Sequence, residues 1–214
     1  MPKLMVHLSL CILIVPAFCM AGDFATIAAS ANKRVGGYHV ETFNAQDALH
    51  DVAQREAVVI GVDAVLPEKR EPIIFDFPGG TVADLLNMFV VQSPGYEWRE
   101  DRGVIHVTRS HVSLTDVVIS YPGAKNVKLR LMWEDLVRRP EVSSWLKTNS
   151  CRGETFVHPK DFKLHRGLVS IPAGSVTVSH FLDEVAIQSG GNYWSVLQRF
   201  SPKTHACYVS VAAW

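Results

Sequence analysis

The chain repeats part of its own sequence at a spacing of 96 residues, and this repeat constrains the fold more than any other feature. The matched pairs are Thr81-Val82 with Thr177-Val178, Leu86 with Leu182, Gln92-Ser93 with Gln188-Ser189, Gly95 with Gly191, and Trp98 with Trp194. Chance similarity between two amphipathic helices would explain a shared apolar periodicity. It does not explain an ordered Gln-Ser-x-Gly-x-x-Trp run in both segments. We therefore interpret the two segments as a duplication.

Three segments place apolar residues at i, i+3, i+4, i+7 and i+8, which is the spacing of one helix face. They begin at Ala45, Val82 and Val178, and capping signatures at Asn44 and Thr81 precede the first two. Predicted strands flank the second and third helices, at 73–77, 96–98 and 104–107 in one copy and at 168–171, 193–194 and 207–211 in the other. A hairpin turn is expected at 100–103.

The order of these elements predicts the α+β class, as two small mixed-sheet domains that each pack two helices on a sheet in a β-α-β then β-α-β-β repeat. Applied to the earlier part of the chain, the 96-residue shift aligns the first helix with 140–146, where Pro140 is suited to the first position of a helix. It also predicts a strand at 155–157. The expected divisions are a first domain at 36–110, a linker with the first strand of the second unit at 111–130, and a diverged second domain at 131–214.

Residues 1–21 have the form of a secretory signal peptide. Lys3 precedes an apolar run at 8–20, and cleavage is expected after Ala21. The run is too short to span a bilayer, which needs about 20 apolar residues, and a retained N-terminal anchor helix is the alternative interpretation. No later run reaches that length, so we expect a periplasmic or secreted protein.

Two of the 4 cysteines lie in this segment, so its removal leaves Cys151 and Cys207. A pair of cysteines in an exported protein predicts a disulfide, although two buried free thiols are the alternative.

The charge balance argues against nucleic acid as a partner. The chain has 21 basic and 21 acidic residues, so no basic excess exists to displace phosphate counterions. A hydrophobic fraction of 48% at zero net charge also excludes an intrinsically disordered chain.

The stretch from Tyr38 to Ser110 resembles the secretin and TonB short N-terminal domain, also called the STN or N0-type domain. The resemblance rests on five segments, which are 43–49 with Val52-Ala53, 60–63, 75–77, 81–86, and 96–98 leading into 104–107. It implies a periplasmic docking module, with a secretin, an outer-membrane receptor or an anti-sigma regulator as the class of protein partner. This chain has no secretin barrel or receptor barrel after the module, so the partner is expected to be a separate chain.

Motifs for chemistry are weak in comparison. His180 and Glu184 are four positions apart on one predicted helix, and His158, Asp161 and His165 are close in sequence, but no zinc motif with three or four ligands at fixed spacing is present. Gly79-Gly80-Thr81 can hold an anion at a helix N-terminus, with Thr81 as a simple cap the preferred interpretation. We therefore predict no catalytic, cofactor or metal site.

Two features are candidates for binding a partner. Tyr96, Trp98, Tyr193 and Trp194 form either a recognition surface or core packing, and core packing is preferred. The closing strands are candidates for pairing with a partner strand, through Val104, Ile105, His106, Val107, Tyr208, Val209 and Val211. The resulting hypothesis is a non-catalytic envelope adaptor. The alternatives are a secreted hydrolase or metal-binding enzyme, and a structural envelope protein that self-associates through its edge strands.

Overall fold

The fold is described from a computed structural model, which covers residues 30–42, 45–66, 73–154, 168–201, 203 and 206–213. The expected signal peptide, Asn44, the expected strand at 155–157, and His158, Asp161 and His165 lie outside the described residues.

The described residues form five α-helices and fourteen short or medium strands. The helices are α1 (Ala45–Glu56), α2 (Val82–Gln92), α3 (Leu129–Arg138), α4 (Pro140–Thr148) and α5 (Val178–Ser189). The strands are β1 (Arg34–Val35), β2 (Tyr38–Thr42), β3 (Val59–Leu66), β4 (Ile73–Phe77), β5 (Gly80–Thr81), β6 (Tyr96–Asp101), β7 (Val104–Arg109), β8 (Val118–Tyr121), β9 (Ala124–Lys128), β10 (Cys151–Glu154), β11 (Leu168–Ile171), β12 (Gly174–Thr177), β13 (Tyr193–Ser201) and β14 (Ala206–Ala213). None of the helices in these ranges is long and apolar enough to cross a membrane.

The centre of the fold is a six-stranded mixed sheet in the order β10-β14-β13-β3-β7-β6. Four two-stranded sheets surround it, and they pair β1 with β5, β2 with β4, β8 with β12, and β9 with β11. Since helices and strands are mixed in this way, the predicted α+β class is confirmed.

Each strand pairing of the first half has a counterpart in the second half. The antiparallel pairs β1–β5 and β2–β4 correspond to β8–β12 and β9–β11. The parallel pair β3–β7 corresponds to β10–β14, and the hairpin β6–β7 corresponds to β13–β14. The two halves therefore share one topology in addition to the sequence repeat.

The two halves do not form separate sheets, which differs from the expected pair of small domains. β3 of the first half pairs in parallel with β13 of the second, from Ile60 opposite Tyr193 to Leu66 opposite Arg199. Sequence repeats cannot reveal this junction, because it joins the edge of one copy to the edge of the other.

Helices cover the shared sheet from both sides. Ile60, Val62 and Ile105 point towards α1 and α2, and they belong to a core that also contains Tyr193 and Leu197 of the second half. Trp194 and Val196, which alternate with Tyr193 and Leu197 along β13, belong to the other core, with Phe181 and Leu182 of α5. Each half thus packs its helices on the opposite face of the sheet.

The first helix of the second half is divided into two. Leu129, Met132 and Leu136 are buried on α3, and the chain turns at Arg139 before Pro140 opens α4. α4 falls where the repeat predicted a helix, whereas α3 was not predicted. Its apolar positions i, i+3 and i+7 were the available signal.

Local sequence signals explain several element boundaries. Thr81 caps α2 and accepts from the Asp84 amide, while the Asp84 carboxylate accepts from the Thr81 amide, which completes a capping box. Arg102 and Gly103 both have positive φ between β6 and β7, as a tight two-residue hairpin requires.

The predicted disulfide is present. Cys151 on β10 is bonded to Cys207 on β14, and the two residues lie directly opposite each other in the sheet. The bond fastens the outermost strand of the second half to its neighbour.

Candidate functional site

The strands proposed for partner binding lie inside the sheet. β7, with Val104, Ile105, His106 and Val107, has β3 on one side and β6 on the other. β14, with Tyr208, Val209 and Val211, lies between β13 and β10. Both edges are already paired along 104–107 and along 207–210, so these segments cannot accept a further strand. Among the described strands, β6 and β10 are the outer strands of this sheet.

β6 presents six residues at one end of the sheet. Among the described residues, β7 is its only strand neighbour, so alternate N–H and C=O groups of Tyr96–Asp101 point away from the sheet. Glu97 and Arg99 are exposed on the face opposite α2. The open edge therefore combines unpaired backbone groups with charges of alternating sign.

The face of β6 that points towards α2 carries two aromatic rings. Tyr96 packs edge-on against Phe89, at 5.6 Å between ring centroids, and burial raises the pKa of its hydroxyl. Trp98 is partly buried, and its Nε1 donates a hydrogen bond of 2.9 Å to Asn87 on α2. Trp98 thus borders the open edge while its ring nitrogen is already satisfied.

Trp194 makes the corresponding contact in the second half. Its Nε1 donates a hydrogen bond of 2.8 Å to Asp183, and in both halves the acceptor lies eleven positions before the tryptophan. Unlike Trp98, Trp194 is completely buried, at 0% exposure. Its cover comes from the first half, because β3 lies directly beside it.

Gly61 on β3 makes this cover possible. A Cβ atom at position 61 would lie 2.1 Å from Cε2 and Cζ2 of Trp194, closer than any side chain tolerates. His106 completes the enclosure, with its ring centroid 5.7 Å from that of Trp194. The indole of Trp194 therefore occupies the space that a side chain at position 61 would fill.

A buried acid–imidazole pair also joins the two halves. His106 Nε2 on β7 lies 3.4 Å from the Asp183 carboxylate on α5, and both side chains are buried. Asp183 is not one of the apolar positions that predict α5, yet the structure buries it, because it accepts from Trp194 and faces His106. Asp183 is thus a structural residue of the junction.

A second buried carboxylate holds the connection between the halves. Asp63 on β3 accepts hydrogen bonds from the hydroxyls of Thr115, at 2.9 Å, and Ser113. Its other oxygen lies 3.3 Å from Nε2 of His111, and this carboxylate raises the pKa of the imidazole. The segment after β7 is therefore fastened to the central strand.

The opposite edge, β10, differs from β6. Its described residues are Cys151–Glu154, and the disulfide holds the first of them. Arg152 is exposed, and Glu154 pairs with Arg199 of β13 at 2.7 Å. Of the two outer strands, β6 is the one without a disulfide to its neighbour.

The described residues considered for metal or anion binding contact other groups of the chain. His180 contacts the Arg102 guanidinium at 2.8 Å, and Glu184 accepts from Gln188 at 3.1 Å. The helix N-terminus after Gly79-Gly80 binds the Asp84 carboxylate, and these hydrogen bonds from Thr81 lower the pKa of Asp84. Within the described ranges, no three His, Cys, Asp or Glu side chains converge as metal ligands.

A shallow cavity of ≈ 450 Å³ opens between β2 and β4 and is bordered by the exposed pair His39 and Asp76. Both side chains are exposed, at 64% for His39 and 73% for Asp76, so neither is desolvated at this cavity.

The sequence matches no family model, and no curated protein or solved structure is detectably similar to it. Function is therefore argued from the geometry of the chain itself.

Proposed function

We propose that this protein is a non-catalytic docking module of the cell envelope, exported to the periplasm or beyond, which binds a protein partner by accepting a strand on the outer edge of β6. The observation that carries the proposal is the outer edge of β6, which ends a six-stranded sheet and has no second strand neighbour among the described residues. Strand addition to such an edge supplies backbone hydrogen bonds for affinity and side-chain contacts for specificity.

Two further observations support this proposal. The Cys151–Cys207 disulfide is typical of oxidising compartments outside the cytosol. The segment 38–110 resembles a periplasmic docking domain, which makes a secretin, an outer-membrane receptor or an anti-sigma regulator the class of partner to seek.

Photo-crosslinking tests the proposal in cells. A photoreactive amino acid replaces Glu97, which is exposed on β6, and the matched control carries it at Arg152, which is exposed on β10. We expect a heteromeric adduct in envelope extracts from position 97 and none from position 152. The absence of any adduct from position 97 would reject the proposal, and an adduct with a second copy of this chain would indicate self-association instead.

A further inference from the structure

The two halves bear the same tryptophan at the same place, but only one of the two tryptophans is covered. Trp98 and Trp194 each follow an equivalent helix and each donate to the residue eleven positions earlier. Trp194 is sealed by a strand from the other half, whereas Trp98 stays partly exposed at the open edge. The Trp194 site therefore shows which kind of strand can pack beside such a tryptophan.

That example specifies the direction of the covering strand and one of its residues. β3 runs parallel to β13, and Gly61 lies opposite Trp194 in the register. Because a Cβ at position 61 would meet the indole at 2.1 Å, a side chain there would force the ring away. By analogy, a strand beside β6 needs a glycine opposite Trp98.

The charges on the other face of β6 specify the flanking residues. Glu97 and Arg99 stand on either side of Trp98 in the sequence and are both exposed. Opposite charges directly across a strand pair are favourable and like charges are unfavourable. In a parallel strand, a basic residue would therefore lie opposite Glu97 and an acidic residue opposite Arg99.

We propose that the β6 edge recognises a parallel strand of another protein that carries the order basic–glycine–acidic, with the glycine covering Trp98 as Gly61 covers Trp194. This inference rests on the proposed docking function and adds the chemistry of the partner segment.

A second copy of this chain fits the edge less well, although β10 contains Arg152, Gly153 and Glu154 in that order. A Cβ at Gly153 would point to Leu146 of its own helix α4, at 3.2 Å. In a parallel continuation that repeats the β3–β13 junction, the face turned away from these helices meets the tryptophan. The described residues of β10 on that face are Arg152 and Glu154, so Gly153 cannot cover Trp98 in this arrangement.

Synthetic strands with the full mature chain test the motif. The probe is a nine-residue peptide, Thr-Val-Thr-Lys-Gly-Glu-Thr-Val-Thr, and its matched controls replace the central triplet by Lys-Leu-Glu or Glu-Gly-Lys. We expect the Lys-Gly-Glu peptide to protect β6 amide hydrogens from exchange and to bind about tenfold more tightly than either control, a difference that calorimetry resolves. The variant Trp98→Ala should lose the preference for glycine over leucine.

Three results would overturn the inference: equal affinity for the three peptides, no binding of any peptide, or protection at β10 instead of β6. The crosslinking experiment separates this failure from failure of the docking function. A heteromeric adduct at position 97 whose partner segment has a bulky residue opposite Trp98, or runs antiparallel, would leave the docking function standing and reject the motif.

Discussion

The comparison of Trp98 with Trp194 shows how one local structure serves two purposes. Both indoles close a helix–strand unit through a hydrogen bond to the preceding helix. Trp194 is a core residue only because β3 supplies Gly61, and Trp98 is a surface residue because the described chain provides no further strand. Burial is therefore decided by the neighbouring unit and not by the unit that carries the residue.

β3 and β10 are corresponding strands of the two halves, and they also differ in what lies beside them. β3 is held between β7 and β13 and carries no cysteine, whereas β10 has β14 as its only described strand neighbour and is fastened to it by Cys151–Cys207. The outer strand β10 is thus held by a covalent bond, whereas the interior strand β3 is held by hydrogen bonds on both sides.

The largest expected effect distinguishes the two tryptophans. Trp194→Ala should reduce the free energy of unfolding by about 3–5 kcal/mol, because it empties a fully buried site between the halves. Trp98→Ala should cost only about 1 kcal/mol, since the ring is partly exposed. Urea denaturation followed by circular dichroism measures both values, and similar losses would contradict the difference in cover.

Loss of the disulfide is expected to have the next largest effect. Reduction removes a constraint across 56 positions of sequence and should lower the free energy of unfolding by about 2–4 kcal/mol. The double variant Cys151→Ala and Cys207→Ala is the control, and its stability should not respond to reductant. If reduction leaves the urea midpoint of the wild-type chain unchanged, the bond does not stabilise β10.

The two glycines that face neighbouring side chains give a smaller, graded effect. Gly61→Ala should cost about 1–3 kcal/mol by overpacking against Trp194. Gly153→Ala should cost less than about 1 kcal/mol, because its Cβ would meet only the flexible end of Leu146 at 3.2 Å. Thermal unfolding of the two variants compares these sites. An equal shift in Tm would show that the close contact between Gly61 and Trp194 does not make position 61 more sensitive than position 153.

The smallest expected effect concerns pH and the connection between the halves. Because Asp63 raises the pKa of folded His111, the protonated ring stabilises the fold below about pH 6.5, the ordinary value, and this contribution is lost as pH rises through the folded pKa. His111→Gln should therefore remove about 1 kcal/mol at pH 5.5 and less at pH 8.5. His39→Gln, at an exposed pair, is the control in urea titrations at both pH values. A loss that grows with pH would reverse the assigned sign.

The sequence predicts those parts of the fold that depend on contacts within one unit. Apolar periodicity predicts the helices that begin at Ala45, Val82 and Val178. The cap at Thr81 follows from its side-chain chemistry, and the Cys151–Cys207 bond follows from the presence of two cysteines after residue 21. These signals extend over a few residues or over one pair, so no tertiary information was needed.

The junction and the candidate site depend on contacts between units. Neither the pairing of β3 with β13 nor the burial of Asp183 can be read from a helical wheel, since both follow from what the other half places opposite them. For the same reason the sequence pattern directs the prediction of partner strands to β7 and β14, which lie inside the sheet. An apolar strand pattern indicates burial, and a strand buried in the middle of a sheet has no free edge.

The parallel pairing of β3 with β13 has a consequence for the order in which the chain becomes structured. β3 belongs to the first half, but the strand beside it comes later in the chain, after all five described α-helices. Until then Ile60 and Val62 lie on an open edge, and the core around them lacks Tyr193 and Leu197. Without β13, the first half is thus an incomplete unit with an exposed strand at its edge.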